Sequence, residues 1–249
     1  MNRILFEKGE IEGDLVTFGG VRAEHVVSVL HGEVGQILKT GEIDGKIGTS
    51  EIVDIRHADG ADGAPLVTVR ISHVEEPLEP WVDLVMAPPR PRVMKRLLPQ
   101  LASLGVGRIF LVGAKKVEKD FWGATLLKEE NYRPLLVDGL MQAGTTALPK
   151  LETRRNFRRF VADELDAVSP GACRIVAHPY SNSKEGATAP DVSHPLLLAI
   201  GPEGGWTDDE VSLLESHGFV RYSLGPRILR TDTAVVAILG RLMPVLEKV

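Results

Sequence analysis

The residues with the most chemical content lie between positions 196 and 234. An apolar run, LLLAI (196–200), delivers the chain into Gly201-Pro202-Glu203-Gly204-Gly205. Three residues there lack a side chain, so backbone can approach a ligand closely. Thr207 and Glu210 have the spacing of a capping box, which predicts a helix from about Asp208, with Val211 and Leu214 facing inward until Gly218 ends it. The order is strand, glycine loop, helix. In open α/β sheets ligands bind beyond the carboxyl ends of the strands, which puts a ligand at residues 201–205.

Glu203 restricts what that ligand can be. A phosphate cradle wants free N–H groups and a nearby Lys, whereas this loop has a carboxylate and no Lys; a G-x-G-x-x-G fingerprint is also absent here. A cofactor that is not a polyphosphate suits the loop better, and S-adenosylmethionine, with its sulfonium, amino acid tail and adenosine, fits that description. A plain structural glycine turn is the other reading. A second strand end follows about two dozen residues later in LGPRILRTDTA (224–234), where Thr231 or Asp232 is placed to cap another helix. Two such loops can form opposite walls of one pocket, with Arg227 and Arg230 at its rim.

Two kinds of element must position these loops. The first 74 residues read as β structure, with short apolar runs broken by Gly19-Gly20, Gly41, Asp44-Gly45, Gly48 and a loop over 59–63. Val67, Val69 and Ile71 alternate with polar residues, which predicts a strand with one apolar face. One short helix is expected around 23–30, and a small barrel or sandwich fits the whole. Pro77 and Pro80 stand in a charged stretch that marks a boundary, dividing the chain into domains 1–74 and 75–249. Beyond it strands alternate with helices, the pattern of a parallel sheet with helical crossovers. The expected strands are 82–87, 108–112, 174–178, 196–200 and 221–224. Val93, Leu97, Leu101 and Leu104 recur at helical spacing, Gly105 is placed to end that helix and Pro99 to kink it. A last apolar helix is expected over 233–246.

The chain carries 29 Lys+Arg against 34 Asp+Glu over 249 residues, a formal charge of -5 that does not by itself favour a polyanionic partner. Its distribution matters more. The first 74 residues hold 7 Lys+Arg and 12 Asp+Glu, while the remainder holds 22 of each. Basic residues gather as Arg90, Arg92, Lys95 and Arg96, as Lys115, Lys116 and Lys119, and as Lys150, Arg154, Arg155, Arg158 and Arg159. Such clusters suit a phosphate backbone or a solvated helix face. Cys173 is the one cysteine, which excludes an internal disulfide. No run is long and apolar enough to span a membrane and no secretory leader is evident, so a cytoplasmic location is expected.

Taken together, GPEGG, a helix ending in Gly218-Phe219, and LGPRILRTDTA resemble the signature of the RsmE-type ribosomal RNA uridine-N3 methyltransferases of the SPOUT superfamily. The likeness extends more weakly to Arg3 and Phe6, Arg22 with His25, Val29-Leu30, Leu104-Gly105-Val106 and His178-Pro179. The resemblance implies an N-terminal PUA-like β-barrel, a C-terminal α/β domain with a parallel sheet tied in a trefoil knot, and a homodimer. It assigns cofactor binding to Gly201, Glu203, Gly204, Gly205, Leu224, Gly225, Ile228, Leu229 and Thr233, with Leu198, His178 and Pro179 beside the same pocket. His178 also reads as a hydrogen-bonded histidine at a strand end. RNA contacts are expected from Arg3, Arg22, Arg90 and Arg92, and no metal is expected.

Methyl transfer to N3 of a uridine in 16S ribosomal RNA would require charge to be stabilised as the N3 proton leaves, with Arg230 the first choice for that task and Arg227 the second. Either could contact phosphate instead. The substrate side departs from the family pattern at His31, at Pro89-Arg90-Pro91-Arg92 and at positions 98–103 and 141–146. A related methyltransferase acting on another RNA, and a non-catalytic RNA-binding or assembly paralogue, are the competing readings.

Overall fold

The two hydrophobic periods of the sequence become two six-stranded sheets in the computed structural model, which describes residues 2–57, 63–179 and 195–244. The chain divides into two compact units, one of Met1–Glu79 with Leu140–Leu148, the other of Pro80–Gly139 with Pro149–Val249.

In the first unit the strands are β1 (Ile4–Phe6), β2 (Ile11–Glu12), β3 (Leu15–Phe18), β4 (Ile37–Glu42), β5 (Ile47–His57) and β6 (Pro65–Glu75), in the sheet order β1-β4-β5-β6-β3-β2. Among the described strands of this sheet only β1 and β4 pair in parallel. The alternation at Val67 and Val69 lies in β6, and both side chains are fully buried with Phe6, Phe18, Val26 and Ile52. The short helix expected at 23–30 begins earlier, as α1 (Gly20–Glu24), and continues in a wider turn over His25–Val29. All of the predicted loop at 59–63 except Gly63 lies outside the described residues. Residues 140–148 complete this unit from far along the chain. The Met141 carbonyl accepts from Asn2 N (3.0 Å) and Arg3 N (3.1 Å), the Thr146 carbonyl accepts from Asp44 N (2.9 Å), and Leu148 N donates to Asp44 Oδ1 (2.8 Å).

The second unit is α/β. Its strands are β7 (Val82–Met86), β8 (Val106–Val112), β9 (Lys150–Arg154), β10 (Cys173–Ala177), β11 (Leu196–Ile200) and β12 (Val220–Tyr222), ordered β12-β10-β11-β7-β8-β9. Every neighbouring pair is parallel, so all six carboxyl ends open on one edge of the sheet. The helices are α2 (Pro91–Ser103), α3 (Glu129–Ala143), α4 (Phe157–Arg159), α5 (Leu165–Val168), α6 (Asp208–Ser216) and α7 (Thr231–Leu242). Central strands of such a sheet are covered on both faces, which is why β11 is buried at all five positions and reads as an unbroken apolar run.

Helix α2 starts with Pro91 at its first position, runs unbroken through Pro99 and stops before Gly105, whose φ of +77° suits a residue without Cβ. The capping box of α6 is present as predicted: Thr207 N donates to Glu210 Oε2 at 2.8 Å, and Thr207 Oγ1 accepts from Glu210 N at 3.4 Å. Helix α7 differs from expectation. Its N-cap is Arg230 and Thr231 is its first residue, so neither Thr231 nor Asp232 occupies the cap; the predicted end at 246 lies outside the described residues.

Candidate functional site

A cleft of about 280 Å³ lies at the carboxyl edge of the second sheet, where β10, β11 and β12 end side by side. This is slightly below the range of roughly 300–1,000 Å³ usual for small-molecule sites. The chain order of the strands reverses here, with β11 laid down on one side of β10 and β12 on the other. Such switch points leave a crevice between diverging loops.

One wall is the loop after β11. Gly201 must be glycine because a Cβ there would meet the Trp206 backbone nitrogen at 2.9 Å, and Gly205 sits at φ +69°. The turn closes on itself, Gly205 N donating to the Pro202 carbonyl at 2.8 Å. Neighbouring elements brace it. Glu203 Oε1 accepts from Arg90 N (3.1 Å) at the start of α2, where a carboxylate also faces the positive end of the helix. Lys116 Nζ donates to the Gly204 carbonyl (2.7 Å). Behind the loop the buried Glu210 carboxylate ties the segment after β8 to the start of α6, its Oε1 accepting from Lys115 N at 2.7 Å. Trp206 is buried against Phe157, ring centroids 5.2 Å apart, with its indole nitrogen unpartnered.

The opposite wall, after β12, is held lightly. Gly225, at φ +118°, donates from its nitrogen to Ser223 Oγ at 3.2 Å. Ile228 is 88% exposed, and Leu224 and Leu229 also leave apolar surface uncovered. The floor comes from α7, whose Thr231, Ala234 and Ile238 line the cleft.

Ten of the predicted site residues come together in this cleft: His178, Pro179, Gly201, Glu203, Gly204, Gly205, Leu224, Arg227, Ile228 and Leu229. Four fall outside its lining. Leu198 is buried within β11, Gly225 and Thr233 flank the lining residues in the chain, and Arg230 is 75% exposed beside Asp232, 3.8 Å away. Of the α7 residues in the lining, Thr231 was read from sequence only as a helix cap and Ala234 and Ile238 were not singled out, although the three recur at helical spacing and mark one face.

His178 donates its backbone N–H to the Tyr222 carbonyl at 3.1 Å, and its Nδ1 is buried without a partner. Burial, and then the Arg221 charge, hold its pKa below the ordinary histidine value, so the ring is neutral at pH 7. It offers one donor and one acceptor.

The four expected RNA contacts separate by unit. In the first, Arg3 gives its guanidinium to the carbonyls of Gly144 (3.0 Å), Thr40 (2.7 Å) and Gly48 (2.9 Å). Arg22 is paired with Glu10 and lies 5.5 Å from the Phe18 ring centroid. Both guanidinium groups are occupied within the unit. In the second, Arg90 and Arg92 stand exposed at the start of α2, the Arg90 guanidinium 3.7 Å from Glu118. Among the described residues no group of three His, Cys, Asp or Glu could hold a metal, and no helix is long and apolar enough to cross a membrane.

A parallel α/β sheet with a largely apolar cleft between two glycine-bearing turns defines a small-molecule-binding domain of the switch-point kind. The chain belongs to the RNA methyltransferase domain family, whose model matches residues 75–243. It is similar to the ribosomal RNA small subunit methyltransferase E of Treponema pallidum, at 30% identity over 95% of this chain and 88% of that protein. Among solved structures it resembles a putative methyltransferase from Legionella pneumophila in complex with the bound cofactor SAM, at 26% identity and a TM-score of 0.69 over 97% of this chain and 96% of the other. A ribosomal RNA small subunit methyltransferase E from Neisseria gonorrhoeae shares the fold at 19% identity, with a TM-score of 0.72 over the same shares of the two chains.

Proposed function

We propose that this chain is a cytoplasmic methyltransferase that uses S-adenosylmethionine to methylate N3 of a uridine in small-subunit (16S) ribosomal RNA. The observation that carries the reading is the cleft itself, in which the two predicted loops meet at the carboxyl ends of β10, β11 and β12. The names of the relatives point to the same RNA, and the Legionella structure to the same cofactor.

The residues present suit that cofactor. Leu224, Ile228, Leu229 and Ile238 offer apolar cover for an adenine, and the glycine turns bring backbone groups to the lip of the cleft. Glu203 is engaged by Arg90 N, and it disfavours a polyphosphate in the same place. When bound, S-adenosylmethionine supplies an electrophilic methyl group on a sulfonium.

The protein's own task is the uridine. Its N3 carries a proton at neutral pH, and loss of that proton spreads negative charge over O2 and O4. A guanidinium aimed at those oxygens stabilises the charge. Arg227 lines the cleft and Arg230 does not, so the geometry favours Arg227 for this role and leaves Arg230 to the rim, reversing the order read from sequence. The uridine must be unstacked to enter. A PUA-like first domain, a knotted SPOUT-like second one and a homodimer belong to the same reading; the exposed Leu224, Ile228 and Leu229 support a second copy closing over the cleft.

Calorimetry with S-adenosylmethionine, together with mass spectrometry of ribosomal RNA nucleosides from cells with and without the protein, tests this. Binding and a 3-methyluridine that depends on the protein are expected. Arg227→Ala should lower turnover by about a hundredfold or more. Cofactor affinity in that variant should stay within about threefold, or ~0.65 kcal/mol. Absence of cofactor binding, or a 3-methyluridine level indifferent to the protein, refutes the proposal.

A further inference from the structure

We propose that the carboxyl edge of β8 and β9 is a track for single-stranded RNA leading into the cleft, an inference that rests on the reading of the chain as an RNA methyltransferase. Because the strands are parallel, the segments that follow β8 and β9 open on the same edge as the cleft. They also lie backbone on backbone. Gly113 N donates to the Arg154 carbonyl at 3.1 Å, and a Cβ on Gly113 would overlap the Arg155 carbonyl.

The structure sorts the basic residues of this edge into two groups. Arg154 is neutralised by Glu152 (2.8 Å) and Glu164 (2.6 Å), while Arg158 and Arg159 have looser partners in Asp209 (3.7 Å) and Asp163 (3.6 Å). Lys115, Lys116 and Arg155 have no carboxylate partner among the described residues, and all three are exposed. Glu118, the acid nearest to the two lysines in sequence, faces Arg90 at 3.7 Å, and Glu152, the acid nearest to Arg155, is taken by Arg154. Unpaired cations on one edge are what a phosphate backbone recruits.

Lys116 marks the inner end of the track, since its Nζ reaches the Gly204 carbonyl at the lip of the cleft. Arg155 marks the outer end. Its guanidinium lies over the Trp122 ring, 5.7 Å from the centroid, with Nη2 3.5 Å from the Trp122 carbonyl. A guanidinium layered on an indole is a flat, cationic platform on which an unpaired base can stack while the neighbouring phosphate meets positive charge. A duplex hides its base faces, so the platform selects single strands.

The test uses the full-length protein, a short fluorescently labelled single-stranded oligouridine, anisotropy titrations at several salt concentrations, and the variants Trp122→Leu and Arg155→Gln. Trp122→Leu should weaken binding by at least about fivefold, the low end for removing a base-stacking ring. Arg155→Gln, a change at an exposed position, should weaken binding and flatten the slope of log affinity against log salt by about 0.7. Calorimetry should show S-adenosylmethionine affinity unchanged in both. Wild-type affinity and slope in both variants would overturn the track, as would tighter binding of an acidic peptide than of RNA at this edge. A wild type that binds oligouridine but gives no heat with the cofactor counts against the enzymatic reading, while the two variants still decide the track.

Discussion

The two walls of the cleft are built from the same ingredients and finished differently. The wall after β11 is locked: Arg90 N, Lys116 Nζ, Pro202 and the Glu210 network each hold it, and Trp206 anchors it to the core. The wall after β12 has the reciprocal contacts of Ser223 and Gly225 and then a run of exposed residues from Leu224 to Arg230. A rigid wall presents its hydrogen-bonding groups at fixed positions with little entropy left to lose, whereas a loose one can fold its apolar side chains over whatever has bound. On this view the first wall sets orientation and the second supplies closure.

Substitutions can break or sharpen that contrast. Glu210→Ala should have the largest effect, because it removes the acceptor for Lys115 N and Thr207 N and dismantles the helix cap from a buried position. A loss of about 3 kcal/mol in denaturant unfolding is expected. Gly205→Ala forces a side chain into a left-handed backbone at φ +69° and should cost about 1 kcal/mol by the same measurement. Ile228→Ser, on the exposed wall, should leave stability within about 0.5 kcal/mol while weakening S-adenosylmethionine binding in calorimetry. If Ile228→Ser unfolds the protein and Glu210→Ala does not, the assignment of rigid and loose walls is reversed.

The smallest effect is pH-dependent. Burial, followed by the Arg221 charge, holds the folded pKa of His178 below its ordinary value of 6.5. Below pH 6.5 the unfolded chain therefore binds more protons than the folded one, and stability falls as the pH drops. Thermal melts of the wild type across that range should show the decline, and His178→Gln should flatten it. An unchanged slope in His178→Gln would mean the histidine does not report on the cleft.

What could be read from sequence follows from what each element buries. Strands β7, β8 and β11 are largely buried and visible as apolar runs because both faces are covered, and β10 shows a shorter run at its buried Ile175 and Val176. Strand β9, at the sheet's edge, reads Lys-Leu-Glu-Thr-Arg and has no fully buried residue, so it passed for part of a basic cluster. The glycine loops were legible because a missing side chain is visible in sequence. The brace on Glu203 was not, since Arg90 N lies 113 positions away and a backbone donor has no sequence signature. The same applies to Arg3 and Arg22, for which the family resemblance suggested RNA contacts and whose partners are carbonyls and a carboxylate within the unit.

Residues Leu140–Leu148 bear on how the protein is made. The first unit needs the Met141, Gly144 and Thr146 carbonyls to satisfy Asn2, Arg3 and Asp44, yet those carbonyls are synthesised more than sixty residues after Glu79. During translation the amino-terminal sheet must wait for a segment that reaches it only after β7, α2 and β8 have left the ribosome. A fragment cut at Glu79 would start life with those donors exposed, so it is a poor proxy for the whole unit.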